Sequence, residues 1–354
     1  MDKTMYRFLI FCLISLPFSI VAQDKKEKPA VTYEELYDEP YSINKLFIGF
    51  QPLYGELFAT NVNAGFGVEA SYFHNDKFDL KAHFSKTYSS SFYDFNRQAA
   101  LDNSDVLDKP QVFNYYELGG TYHIKDFDVA GKTKMVLYKK SFKGNRWAAN
   151  MPLHAEVPCK VRKIYGARLG AILWNSTVDL NRVLRDQGLT NADLINSSGI
   201  GLPLMTPPDL VTGVSKNLSV YGNLYATNIY LGGSMSWFRN VAVSFDKYDE
   251  GMDDGLLTLY FDILFAPSLT LDPVTYRDPS TLAVDVYSTS AVKTSSLGVR
   301  AGIDGKFNRT LSWSYGGEVG IRPSISGHGF YAMFKISFPV FGTNLDYKVE
   351  SFGK

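Results

Sequence analysis

Cysteine is almost missing from this chain: Cys12 and Cys159 are its only two. Cys12 lies in the apolar stretch from Phe8 to Val21, which follows Lys3 and Arg7 and exits through the small residue Ala22. That is the make-up of a cleaved secretory signal over 1–22, too short for an ordinary membrane helix of about 20 residues. With a mature start near Gln23, Cys159 stands alone, which excludes an internal disulfide and a cysteine-based metal cluster. Net charge is missing too, 36 basic residues matching 36 acidic ones. No nucleic-acid partner or strong electrostatic steering is expected. Beyond residue 23 no 18 consecutive apolar residues occur, which argues against membrane helices but not against membrane strands, each needing only about 9–11 residues.

Chemical motifs are equally scarce. His74, His83, His123, His154 and His328 form no HxxxH or HExxH pair, and nothing in their spacing proposes a serine–histidine hydrolase. "VAGKT" at 129–133 ends like a phosphate loop, but Asp126 stands where the first glycine is required. "GFGVEA" at 65–70 mimics a dinucleotide fingerprint, yet it reads as an alternating strand with no helix after it. The acidic stretch "DKYDEGMDDG", 246–255, lacks the spacing of a calcium loop and reads as a solvated turn. The expectation is a non-enzymatic protein without catalytic residues, metal or cofactor.

What the chain does have is aromatics, 23 Tyr and 25 Phe, and a period-two beat. In "SLGVRAGIDGKFNRTLSWSYGGEVGIR", Leu297, Val299, Ala301 and Ile303 alternate with Gly298, Arg300, Gly302 and Asp304. The next strand sets Leu311, Trp313, Tyr315, Val319 and Ile321 against Ser312, Ser314, Glu318 and Arg322. The same pattern marks 66–72, 78–84, 116–124, 165–173, 257–265 and 330–340, and 229–245 reads as one long strand. Weaker candidates at 45–61, 132–142 and 216–226 bring the total to twelve, within a range of ten to fourteen.

These features predict an all-β, antiparallel transmembrane barrel over 45–342. In hydrocarbon every backbone polar group must be paired inside the protein, so a sheet there closes on itself. Its outward positions meet lipid while its inward ones are polar or small. A soluble sandwich would turn its apolar face inward instead. The exported chain without disulfides, the many strands of one pattern and the glycines on the polar face weigh against it. Lys81, His83, Arg168, Asp262, Arg300, Asp304, Glu318 and Arg322 fall on inward phases. Either they pair and fill the lumen, or they line a water-filled pore of weak ion selectivity.

With short links periplasmic and long ones outside, "HNDK", "DFDVAGK", "KYDEGMDD" and "KFNRT" go to the periplasmic side with both termini. Links near 91–111, 144–160 and 268–293 go outside. An irregular, partly helical excursion at 175–215 then falls on the periplasmic side, unless 216–226 is no strand, in which case it flips. The leader 23–44, with "YEELYDEPY", reads as a solvated lead-in that alternatively binds a partner or enters the lumen. Residues 343–354 form a periplasmic tail.

The "VAQ" signal exit, the Tyr- and Gly-rich strands and the near-terminal "GIRPSISGHGFYAMFKISFPVF" resemble outer-membrane β-barrel proteins of Bacteroidota. The chain departs from them in running on past Phe341 to Lys354. The resemblance implies a location in the outer membrane, in contact with its lipid. It also implies a role as a channel or as a component of an assembly for secretion, uptake or outer-membrane protein insertion. Of these, an accessory subunit contacting an envelope partner through 23–44, 175–215 or 343–354 is the leading expectation; a passive channel or small-solute transporter is the alternative.

Overall fold

The computed structural model describes residues 31–43, 45–74, 77–89, 93–137, 153–209, 213–246, 248–307 and 313–342. The expected signal segment and the 343–354 tail lie outside them. Ten antiparallel strands form a closed barrel: β1 (Leu46–Phe58), β2 (Asn61–His74), β3 (Phe78–Thr87), β4 (Asn114–Leu137), β5 (Leu153–Asp179), β6 (Tyr221–Phe238), β7 (Gly255–Leu271), β8 (Leu297–Phe307), β9 (Ser314–Ile321) and β10 (Phe330–Gly342). Each pairs with its sequence neighbour, and β10 closes on β1 through Tyr331↔Phe58 and the rungs below it. No helix among the described residues is long and apolar enough to cross a membrane.

The expected count of twelve is corrected to ten. The 45–61 candidate is β1, whose weak pattern has a local cause. A bulge between Gln51 and Tyr54 shifts its register, moving the inward phase from odd to even positions at Pro52. The 132–142 candidate is not a separate strand, because "DFDVAGK" is not a link: Asp126–Lys132 continues β4, paired rung by rung with β5. The 216–226 candidate merges into β6. The long strand expected over 229–245 instead ends at Phe238, and Val241–Phe245 joins a different sheet. Of the long link near 144–160, expected on the side of 91–111 and 268–293, residues 153–160 are instead strand at the opposite end, where the leader lies, and the rest lies outside the described residues.

The barrel has two unlike ends. Residues 31–43 and the last described residue, Gly342, lie at one end, here the terminal side. There β4 and β5 overrun their other neighbours: β4 pairs with β3 only as far as Tyr122, and β5 with β6 only from Arg162 onward. The remaining rungs form an arm, whose face of Met135, Leu137, Ala155, Val157 and Cys159 packs on Val241, Val243 and Phe245. Those three belong to a three-stranded sheet of Tyr33–Asp38, Val241–Phe245 and Gly251–Asp253. Within the leader Tyr33–Asp38 is thus a strand, with Glu34, Glu35 and Leu36 exposed, and the acidic 246–255 link holds another.

The opposite end, the cap side, carries 88–89, 93–113, 180–209, 213–220 and 272–296. This corrects the placement of 175–215, which lies away from the leader; its first residues, 175–179, finish β5. Helix α1 (Phe95–Asn103) starts at Asp94, whose carboxylate accepts from the Arg97 amide, and α2 (Leu180–Asp186) starts at Asp179 in the same way. Gly188, at φ +71°, lets the chain turn after α2. Asp94 is fully buried and also accepts from Asn61 Nδ2 at 2.7 Å and the Phe113 amide at 2.9 Å, fixing α1 to the barrel rim.

The pleat turns alternate residues outward. Leu118 and Leu231 are 67 % and 64 % exposed, with Leu169, Phe261, Ile263 and Phe334 also on this face. Left in water, each such side chain forfeits about 1.5–3 kcal/mol of burial. Exposed Tyr72, Tyr122, Tyr165, Trp313 and Tyr315 ring the terminal rim, and Tyr88, Tyr116 and Tyr225 the cap rim, the arrangement of aromatic girdles.

Candidate functional site

The inward pleat supplies the site. All eight residues expected on the polar face point into the lumen, where the structure gives each a hydrogen-bond or ion-pair partner. At its centre Arg300, 1 % exposed, donates Nε to Asp262 Oδ2 at 2.8 Å, Nη2 to Glu117 Oε1 at 2.7 Å and Nη1 to Glu318 Oε2 at 3.2 Å. Arg168 donates Nε to the other Asp262 oxygen at 3.0 Å. Tyr260 donates to Glu318 at 2.8 Å, and Tyr331 donates to its second oxygen. The guanidinium planes also lie over rings: Arg300 is 4.3 Å from the Tyr230 centroid and Arg168 4.1 Å from Tyr260.

Toward the cap, Arg322 grips Glu56 with both Nη atoms at 3.0 and 3.1 Å, and Tyr54 donates to the same carboxylate at 2.5 Å. Above this pair Phe58, Phe113 and Trp174 join Leu180, Leu184, Val220 and Leu264 in an apolar core that roofs the lumen. Toward the terminal side, Lys81 donates to Asp304 at 2.5 Å, and Lys335 lies 3.5 Å from Asp304 and 3.2 Å from Glu69. Lys306 donates to Ser71 at 2.6 Å. Beyond them opens a vestibule with about 90 Å³ of room for water, lined in part by Asp79, His123, Ser234 and Thr258. Its mouth is narrowed by Ile43 of the leader, which packs on Ile164 and Phe238.

Among the described residues, six cations (Lys81, Arg168, Arg300, Lys306, Arg322, Lys335) thus share the lumen with six carboxylates (Glu56, Glu69, Glu117, Asp262, Asp304, Glu318), while a seventh, Asp79, meets His123 at the vestibule. Buried charge is tolerable only when so matched. Lumenal glycines make the fit possible. A Cβ on Gly119 or Gly170 would collide with Tyr230, and one on Gly302 with Tyr260, so on these strands glycine makes way for tyrosine rings rather than for water.

His83 is the one candidate with nucleophile chemistry beside it. Its Nε2 is 3.0 Å from Ser85 Oγ and 2.8 Å from Gln51 Oε1. Nδ1 has no partner among the described residues, so no carboxylate orients the ring as a triad requires, and both side chains are buried. No group of metal-binding side chains occurs among the described residues. Sequence reading missed Glu56, Glu69, Glu117, Lys306 and Lys335 in the lumen, although the alternation itself puts Glu69, Glu117, Lys306 and Lys335 on inward phases. It also missed the inward tyrosines, because aromatics on a barrel suggest girdles first. Compared with protein-family models and curated proteins, the chain matches none.

Proposed function

We propose that this chain is a non-enzymatic integral protein of the outer membrane, serving as an accessory subunit of an envelope complex rather than as a pore. The observation that carries this reading is the lumen filled by matched charges and tyrosines across its cap half. A pore needs a continuous water path and weak, repeated binding along it; interlocked ion pairs under an apolar roof oppose both. The exposed apolar wall and its girdles support the lipid setting. The unequal loops support an outward cap and periplasmic termini. The arm with its three-stranded sheet, and the broad cap, offer surfaces on both sides of the membrane for partners. The passive-channel alternative has the vestibule in its favour, but that space is blind toward the cap.

Planar bilayers test the central point: the mature protein is expected to be electrically silent, and reproducible open-pore steps would sink the accessory reading. Topology has its own test. Single cysteines placed within 180–195 of a Cys159-free variant are expected to react with an impermeant maleimide on intact cells, and protection there would overturn the outward cap. If mature protein stayed monomeric in solution without detergent, the membrane reading itself would fall.

A further inference from the structure

The charges of the lumen are not matched place by place. Around and above Asp262, the three guanidiniums of Arg168, Arg300 and Arg322 are met by four carboxylates, Glu56, Glu117, Asp262 and Glu318. On the floor of the vestibule the balance is reversed, and three ammonium groups share two carboxylates. Lys81 bonds Asp304, and Lys335 lies between Asp304 and Glu69. The third is Lys306. Its Nζ donates to Ser71 Oγ at 2.6 Å and lies 3.7 Å from the centroid of the Phe47 ring, but among the described residues it forms no ion pair.

The carboxylates that would balance Lys306 are engaged elsewhere. Glu117 is taken by Arg300 and by the Tyr115 hydroxyl at 3.1 Å, and Asp79 meets His123 at 3.2 Å. Glu69 already accepts from Lys335, Gln51 and Ser314. An ammonium group carries three donors, and that of Lys306 spends one on Ser71. Lys306 also lines the vestibule, where about 90 Å³ is open to water, so a counter-ion from solution can reach it, and the walls of such a pocket strengthen its pull. Ser71 Oγ accepts from Lys306, and no described residue takes its own hydrogen; Ser234 and Thr258 set further hydroxyls on the same space. That space falls well short of the range of about 300–1,000 Å³ usual for small-molecule sites, and the charge left over is one. Both limits select a small monovalent ion over a phosphate or a larger organic acid.

We propose that the vestibule holds one small monovalent anion, chloride in ordinary salt, against Lys306 Nζ and the Ser71 hydroxyl. The inference goes beyond the accessory reading and does not rest on it, since a site blind toward the cap fills without conducting. Its test uses the mature protein in a non-ionic detergent, titrated with sodium chloride while sodium gluconate, too bulky for the space, holds the ionic strength fixed. The width of the chloride nuclear magnetic resonance line reports binding. Excess broadening is expected to saturate at one site per chain. Lys306→Met, which keeps much of the stem and removes the charge, is expected to weaken binding at least about tenfold, and Ser71→Ala severalfold. Lys132→Met, on the exposed face of the arm, is expected to leave it unchanged. Broadening that grows with chloride without saturating would overturn the site, as would saturation that survives in Lys306→Met. Should Lys306→Met not fold, the parent and Ser71→Ala still decide, because saturable binding indifferent to Ser71→Ala would put the ion elsewhere.

Discussion

Above and below the level of Asp262, one barrel wall encloses two different interiors. The cap half is dry: Arg300 and Arg322 are each met by carboxylates and tyrosines, and an apolar roof covers them. The terminal half is wet, with Lys81 and Asp304 paired at the edge of a vestibule and their side chains 19 % and 26 % exposed. Ion pairs occur in both halves, so pairing alone does not seal a lumen. What seals the cap half is the addition of tyrosine rings seated on glycines and the removal of solvent, which raises the cost of losing any partner.

That contrast predicts a ranking. Arg300→Ala would leave Glu117, Asp262 and Glu318 buried around an empty centre, and is expected to cost about 3–5 kcal/mol, read as a lowered urea midpoint in detergent micelles. A cost below that of Lys81→Ala would break the distinction between the halves. Gly170→Ala, which drives a methyl into Tyr230, is expected to lose about 1–3 kcal/mol through overpacking, and Tyr230→Phe would not rescue it, since the ring itself obstructs. Lys81→Ala, its charge reached by water, is expected to lose no more than about 1 kcal/mol, with the bilayer still silent.

The smallest effect concerns acid and belongs to the cap. His328, in the 322–329 connection, is buried, and burial holds its folded pKa below the ordinary 6.5 despite Asp186 3.4 Å away; Arg182 nearby adds to the depression. The unfolded segment therefore takes up a proton more readily than the folded one. Cap stability is full above pH 6.5 and declines as pH falls below it toward the folded value. Limited proteolysis of 322–329 is expected to quicken on acidification in the parent and to lose most of that pH dependence in His328→Gln.

Most of the wall could be read directly from the alternation, because a strand with an apolar outer face and a polar lumenal one has one way to face at each position. The nine strong patterns and the β1 candidate account for all ten barrel strands. The errors arose where that constraint lapses. Asp126 and Asp128 look like turn residues, but in the arm, beyond the apolar wall, a strand has no need of an apolar face; Asp126 is satisfied by a two-pronged bond from Arg162 at 2.9 and 2.6 Å. At Arg239 and Asn240 the chain leaves the barrel for the three-stranded sheet, and the apolar phase, interrupted there by Arg239, resumes unchanged at Val241, so periodicity did not mark the boundary. The lumen's members were visible as phases, but their pairing was not. Arg322 and Glu56 stand 266 residues apart, a proximity set by closure of the sheet alone.

The leader strand adds a matter of timing. Tyr33–Asp38 is made before any barrel strand, yet its partner is Val241–Phe245, and Asn240 secures the carbonyl of Glu39 from 201 residues downstream. That strand must therefore wait, without its partner, until the chain just beyond β6 has been delivered. Likewise β1 exposes an open edge until β10 arrives to close it. Both ends of the chain are completed together, as late and highly non-local events in folding. The interval before them, with two strand edges unsatisfied, is when this protein most needs to be shielded from other chains.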